Sequence, residues 1–318
     1  MKRSRDVAAA DGNGGAIDEA ECQRRSRMAR FDSPAIRVLV LIHPTTKENY
    51  GERVMARTCQ LLHGGGHTAK CTVSEVTAEQ VLAGALRDAD VLYVPGGSVA
   101  CQQRVLGSEG FTEIMSFVQR GGGYVGICAG ALLAGGWGVE HMDGMLGAST
   151  DWTGWTEATI ATVTLTDLGR QILGCGRVRH AKAEETAETV DLLLTGGSWH
   201  VPCERVVASA VDSLPIMIAR FEPLCVLQRI RRKDGTEVDP QEWGANVPAV
   251  AGCFGSGRVL VFGPHPESTK SDASAQRWLG EAIYWTSRMG ILEQQQQQGE
   301  DDHGLVEPPP PGSPKTKE

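Results

Sequence analysis

The sequence predicts an α/β fold: a three-layer sandwich whose mostly parallel, doubly wound sheet carries antiparallel additions. Through the first half of the chain, short apolar runs alternate with amphipathic segments, the pattern of successive βαβ units. The second half changes to strands of alternating character, with a hairpin signal at Gly255-Ser256-Gly257. One apolar run ends in Gly126-Ile127-Cys128-Ala129-Gly130, a glycine-flanked turn that suits a strand feeding directly into a helix.

The elements follow in order. Ile36–Ile42 reads as a buried strand, and Glu48–Leu62 as a helix stopped by Gly64-Gly65-Gly66. Ala69–Val76 is the second strand. Thr77 caps a helix over Ala78–Arg87, with Gln80 at the capping-box position. Asp90–Val94 is the third strand and ends at Pro95-Gly96-Gly97. A helix over Phe111–Arg120 leads to the fourth strand, Tyr124–Ile127, and the cysteine turn. Strands are then expected at Glu157–Thr166, Val190–Thr195, Pro215–Arg220, Cys225–Ile230, Ala249–Phe254 and Arg258–Phe262. They are read as antiparallel additions to the same core. A closing amphipathic helix runs from Ser271/Asp272 through Trp285 to about Met289.

The chain has 318 residues, 41% hydrophobic, enough for one sizeable core. Its formal net charge of −8 argues against a general nucleic-acid binder. The basic cluster Arg229-Ile230-Arg231-Arg232-Lys233 abuts Asp234-Gly235 and reads as an exposed turn. Nine cysteines, an odd number without a CxxC pair, fit free thiols in a reducing, cytoplasmic setting. No apolar run approaches the ~20 residues that cross a bilayer, and no secretory leader is expected. Residues 1–34 and 292–318 read as disordered tails around one domain at 35–291, the second tail holding Gln294–Gln298 and Pro308–Pro311.

The chemistry gathers at Cys128. A sharp strand-to-helix turn leaves no room for β-carbons beside the nucleophile, hence Gly126 and Gly130. It also sets the sulfur at a helix N-terminus, which favours thiolate. The expected base is His265, in Gly263-Pro264-His265-Pro266-Glu267. Pro266 favours an extended His265, so that His265 and Glu267 face the same way and Glu267 orients the imidazole. An oxyanion hole is expected from the backbone N–H groups of Ala129 and Gly97.

These strings, Gly126-Ile127-Cys128-Ala129-Gly130 and Pro264-His265-Pro266-Glu267, resemble the class I glutamine amidotransferase-like superfamily, with its flavodoxin-like sheet. Within it, Val94-Pro95-Gly96-Gly97, Arg120-Gly121-Gly122-Gly123 and the Cys128 turn are most similar to the amidotransferase-like N-terminal domain of eukaryotic biotin–protein ligases. The resemblance spans Ile36 to Met289. It extends to Leu194-Thr195-Gly196-Gly197-Ser198-Trp199, and implies a substrate-binding role for Gly96, Gly196, Gly197 and Trp199. The cysteine turn also resembles the serine turn of peptidase E and cyanophycinase.

Two departures shape the expected function. Amidotransferases that use glutamine usually carry glutamine two residues beyond the second turn glycine; here Leu132 stands there. No adenylate loop of the Gly-Arg-Gly-Arg type is found, so a stand-alone domain rather than a biotin ligase is expected. The leading reading is a Cys-His-Glu hydrolase or amidotransferase acting on a small amide or peptide-like bond. It needs no metal or cofactor and no nucleic-acid or membrane partner. The alternative is a non-catalytic ligand-binding or regulatory domain. The sequence does not set the oligomeric state. His63–His67 reads as a helix stop, His200 and Cys203 as non-ligands, and Cys101 as a passive thiol. Trp199 either lines a pocket or packs in the core.

Overall fold

The central strands are almost wholly apolar because both faces of the sheet are covered. The structure, a computed structural model, describes residues 35–42, 70–136, 144–146, 148–152, 158–174, 189–202, 204–207, 217–239, 247–269 and 273–287. The first elements are β1 (Ala35–Leu41), β2 (Lys70–Val76), α1 (Ala78–Leu82), β3 (Val91–Val94), α2 (Val99–Gln119), β4 (Gly123–Ile127) and α3 (Ala129–Ala134). Then come β5 (Ala148–Trp152), β6 (Thr159–Leu165), α4 (Asp167–Leu173), β7 (Thr189–Leu194), β8 (Ser198–Pro202) and β9 (Glu204–Val207). The last are β10 (Met217–Pro223), β11 (Cys225–Arg231), β12 (Glu237–Val238), β13 (Ala249–Phe254), β14 (Gly257–Phe262) and α5 (Ala273–Thr286).

The main sheet runs β2-β1-β3-β4-β14-β13-β10-β9. Its first five strands are mutually parallel. β13, β10 and β9 extend it by antiparallel pairing. Successive residues of each central strand go to opposite faces. Val91, Tyr93, Val125, Ile127, Leu260 and Phe262 pack toward α5 and strands of a second sheet. Leu92, Val94, Tyr124, Val259 and Val261 pack toward α1, α2 and α3. This explains the uninterrupted apolar runs, the mark of strands buried on both sides.

The second sheet is antiparallel, ordered β12-β11-β6-β7, and a two-stranded pair joins β5 to β8. The antiparallel strands are therefore divided: some extend the main sheet, and others form a separate layer over one of its faces. A single sheet could not hold them all and still cover the apolar face that Ile36, Val38 and Val40 present. β5, β8, β9, β12 and α4 have no counterpart among the elements expected from sequence.

Several boundaries also differ. The capping box of Thr77 and Gln80 is present, with Thr77 N–H donating to Gln80 Oε1 at 2.9 Å. The helix it starts ends at Leu82, because Gly84 takes a left-handed conformation (φ 89°) and a 3-10 turn, Ala85–Asp88, follows. The expected helix at Phe111 begins instead at Val99, capped by the Ser98 side chain, and bends at Gly107 (φ 59°). Arg229 and Arg231 are strand residues of β11, and the turn begins only after them. The helix at Glu48–Leu62, the His63–His67 stop, Cys203 and both tails lie outside the described residues. Among the described residues, no helix is long and apolar enough to cross a membrane.

Candidate functional site

Three loops leave the same end of the sheet side by side. β4 lies between β3 and β14, parallel to both, with Val94 opposite Gly126 and Phe262 opposite Ile127. Pro95-Gly96-Gly97 follows β3, Cys128 follows β4 and Gly263-Pro264-His265 follows β14. Their meeting is thus a consequence of strand order, at the carboxyl ends where such sheets bind ligands.

Cys128 sits in a strained conformation, φ 52° and ψ −107°. It is the sole non-glycine residue with positive φ among the described residues. The flanking glycines are steric necessities. A β-carbon at Gly130 would lie 2.1 Å from the Val94 carbonyl oxygen, and one at Gly126 2.7 Å from that of Gly130. The Tyr124 hydroxyl, buried beneath the turn, donates to Gly130 O at 2.6 Å and fixes the first residues of α3. Cys128 N–H donates to Phe262 O at 2.8 Å, which carries the sheet ladder up to the cysteine turn.

Cys128 is 8% exposed. Burial pushes its thiol pKa up, but a hydrogen bond and the charge from His265, with N–H donors from Gly97 and Ala129, outweigh that and lower it. Burial likewise pulls the imidazole down. The Glu267 charge, together with the sulfur and further hydrogen bonding, overcomes this and raises it well above 6.5. The two shifts have one shared cause, the hydrogen bond and charge between this sulfur and this ring. On the other side of the ring, Nδ1 lies 2.9 Å from Glu267 Oε1, with Glu267 5% exposed. With Nδ1 committed to the carboxylate, Nε2 is the nitrogen left for the sulfur.

The backbone basis of the His–Glu contact differs from the expectation. His265 has φ −109° and ψ 78°, and Pro266–Ser268 forms a 3-10 turn rather than an extended segment. The side chains meet across a tight turn. That turn is held by the His265 N–H on Leu193 O at 2.6 Å.

Gly96 packs against both side chains: a β-carbon there would lie 2.7 Å from His265 Cε1 and 3.2 Å from Cys128 Cβ. Gln102, fully buried in the first turns of α2, donates through Nε2 to Pro95 O at 2.9 Å and holds this loop in place. Gly197 (φ 92°) lies beside Gly263, where its β-carbon would come 2.4 Å from Gly263 O. Gly196 precedes it in a left-handed conformation (φ 67°). These two glycines therefore border the strand end that leads to His265. Trp199 is core, 2% exposed, in the cluster with Ile127 and Phe262. His200 is fully buried and neutral, pushed down to about 3 by burial. Leu132 is buried among the residues of α3 and the helical face. Cys101 is a free thiol in α2. Gln102, Leu193 and Thr269 escaped the sequence reading; only Gln102, one turn after a capping serine that follows Gly96-Gly97, left a local signal.

A family model described as biotin-protein ligase, N terminal, matches residues 55–144, which include Pro95-Gly96-Gly97 and the Cys128 turn. No curated protein matches the chain. Among solved structures, a glutamine amidotransferase is similar at 18% identity and TM-score 0.42, covering 77% of this chain and 98% of its own. The glutaminase domain of Trypanosoma brucei CTPS, with bound acivicin, is similar at 12% identity and TM-score 0.43, covering 78% and 92%. A cytoplasmic protein of Salmonella typhimurium LT2 is similar at 13% identity and TM-score 0.40, covering 80% and 99%.

Proposed function

For a chain of class I glutamine amidotransferase-like fold, whose residues 55–144 match the N-terminal family of biotin–protein ligases, we propose cysteine-dependent cleavage or transfer of a small amide or peptide-like acyl group. The observation that carries this reading is the run of contacts Glu267–His265–Cys128, with Gly97 and Ala129 N–H groups aimed at the sulfur. Cys128 thiolate attacks the amide carbonyl, and the carbonyl oxygen takes up the negative charge. The two N–H groups stabilise that charge as it forms. Protonated His265 then gives its proton to the leaving nitrogen, the C–N bond breaks, and a thioester remains on Cys128. Neutral His265 next takes a proton from water, or from an acceptor amine, as that nucleophile attacks the thioester. The acyl group leaves as acid or new amide, and the thiolate is restored. Glu267 keeps its proton acceptor on Nδ1 throughout and holds the ring in place.

Leu132 supports an acyl group other than glutamine, since it offers no hydrogen bond to an amide side chain. The test is a screen of amides and short peptides with Cys128→Ala as the blank. A product formed by the native chain and not by the variant supports the reading. A Cys128 that iodoacetamide modifies no faster at neutral pH than Cys101 or Cys253 overturns it. The result would leave the non-catalytic ligand-binding domain as the reading to pursue.

A further inference from the structure

His265 is held at both of its backbone polar groups. Its N–H donates to Leu193 O at 2.6 Å. Its C=O accepts from the Thr269 hydroxyl at 2.8 Å. The same Thr269 oxygen accepts from Leu193 N–H, also at 2.8 Å. Thr269 is 1% exposed, so water does not compete for these bonds. Its carbonyl is taken by Gln276 Nε2 of α5 at 2.6 Å. One buried residue therefore joins the turn that carries the imidazole to α5 and to β7, an edge strand of the second sheet.

We propose that Thr269 is a positioning residue for His265: its hydroxyl locks the turn onto Leu193, so that the ring stands between Glu267 and Cys128. The role depends on the reading of Cys128 as nucleophile and His265 as its base. Glu267 cannot do this work alone. It is two residues from His265 and rides on the same turn, so it sets the ring's rotation but not the turn's place in the molecule. The ties that set that place run to Leu193, 76 residues from Thr269 in the chain. A hydroxyl suits the position because it donates and accepts at once, giving to His265 O while receiving from Leu193 N–H. Valine has the same shape and can do neither.

The experiment is iodoacetamide alkylation of Cys128 across pH, read by peptide mass spectrometry on the full chain. The variants are Thr269→Val, Thr269→Ser, Gln276→Leu and His265→Gln. A residue with a merely structural role would lower the melting temperature and leave the midpoint of the profile where it is. Thr269→Val is expected to raise that midpoint by about one pH unit, a tenfold loss of thiolate at any pH below both midpoints. Thr269→Ser keeps the hydroxyl and is expected to keep the native midpoint. Gln276→Leu, which frees only the Thr269 carbonyl, is expected to shift it the same way by less, and serves if Thr269→Val does not fold. An unshifted midpoint in folded Thr269→Val, or failing that in Gln276→Leu, overturns the positioning role and leaves the nucleophile reading standing. A native midpoint near that of an ordinary thiol, about 8.5, and unmoved by His265→Gln, overturns the nucleophile reading and the positioning role with it.

Discussion

The space that a β-carbon of Gly96 would fill is occupied by the His265 ring, whose Cε1 lies 2.7 Å from that position. Glycine here lets the loop after β3 close on the imidazole while its neighbour, Gly97, turns an N–H toward the sulfur. The backbone of Gly96 is not in the left-handed region, so the requirement is for space rather than for conformation.

Gly96→Ala should therefore separate steric from conformational effects. The methyl cannot move toward Cys128, whose Cβ would be 3.2 Å away, and so must displace the ring. We expect Cys128 to be alkylated about tenfold more slowly at neutral pH, as a one-unit rise in thiol pKa would give, with the fold retained by circular dichroism. An alkylation rate equal to that of the native chain would show that the ring has room to yield.

The parts of this site that the sequence made legible are those written in consecutive residues. Gly126 and Gly130 are both required by the local geometry of a sharp turn, and both stand beside the cysteine they serve. Pro266 and Glu267 likewise flag His265 from within one short string. The turn they form is 3-10 rather than extended, because proline's bias toward an extended predecessor does not decide what the residues after it do. The clamp of Leu193 and Thr269 was not legible at all. A leucine amide and a threonine hydroxyl 76 residues apart carry no mark of their pairing.

The fold divides in the same way. β3, β4 and β14 are legible because burial on both faces makes each an almost continuous apolar run, and β1 because Ile36, Val38, Val40 and Leu41 mark its buried positions. The helix α2 is legible only from Phe111 onward. Its first half holds Cys101, Gln102, Gln103 and Gly107, which lack an apolar stripe, and its start is dictated by the Ser98 cap. The division of the antiparallel strands between two sheets was illegible. An alternating strand announces one buried face, but not which partner buries it.

Gly130→Ala is expected to be far more damaging than a helix-favouring substitution should be. Alanine would stabilise an ordinary helix interior, by roughly 0.5–1 kcal/mol over glycine. At this position its β-carbon would lie 2.1 Å from Val94 O, backbone against backbone, where no side chain can give way. The net cost should be about 3 kcal/mol or more, measured by urea unfolding. Gly107→Ala has open space around it but φ 59° and ψ −173°, a conformation almost confined to glycine, so it should lose stability through conformational strain alone, by ~1–3 kcal/mol. Equal costs at the two positions would mean that α3 shifts freely away from β3.

Glutamine is expected to be a poor substrate. Leu132 is 4% exposed and presents only carbon where an amide side chain would hydrogen-bond the substrate. Ammonia release from glutamine should fall well below the ~1–10³ s⁻¹ common for enzymes, even though Cys128 reacts readily with an alkylating agent. Turnover within that range by the native chain, abolished in Cys128→Ala, would show that another group binds the amide.

His200 should make the protein sensitive to mild acid for a reason unrelated to Cys128. Its side chain is fully buried, Nε2 lies 3.3 Å from Ser198 Oγ, and burial holds its pKa down at about 3. In the unfolded chain the same group titrates near 6.5. Between these two values the unfolded chain binds a proton that the native chain refuses. Stability must then rise with pH across this window, and fall as pH drops from 6.5 toward 3. Above 6.5 the imidazole is neutral in both states and contributes no pH dependence. By pH 4.5 the loss should reach about 2–3 kcal/mol. His200→Gln has no charge to take up, so it should pay a fixed packing cost at pH 7.5 and lose less stability than the native chain on acidification. Urea unfolding at pH 7.5, 6.5, 5.5 and 4.5 checks this. The gap between native chain and variant should narrow steadily below pH 6.5. A gap that stays constant over the whole series would mean that His200 reaches solvent, or a compensating charge, before it is protonated.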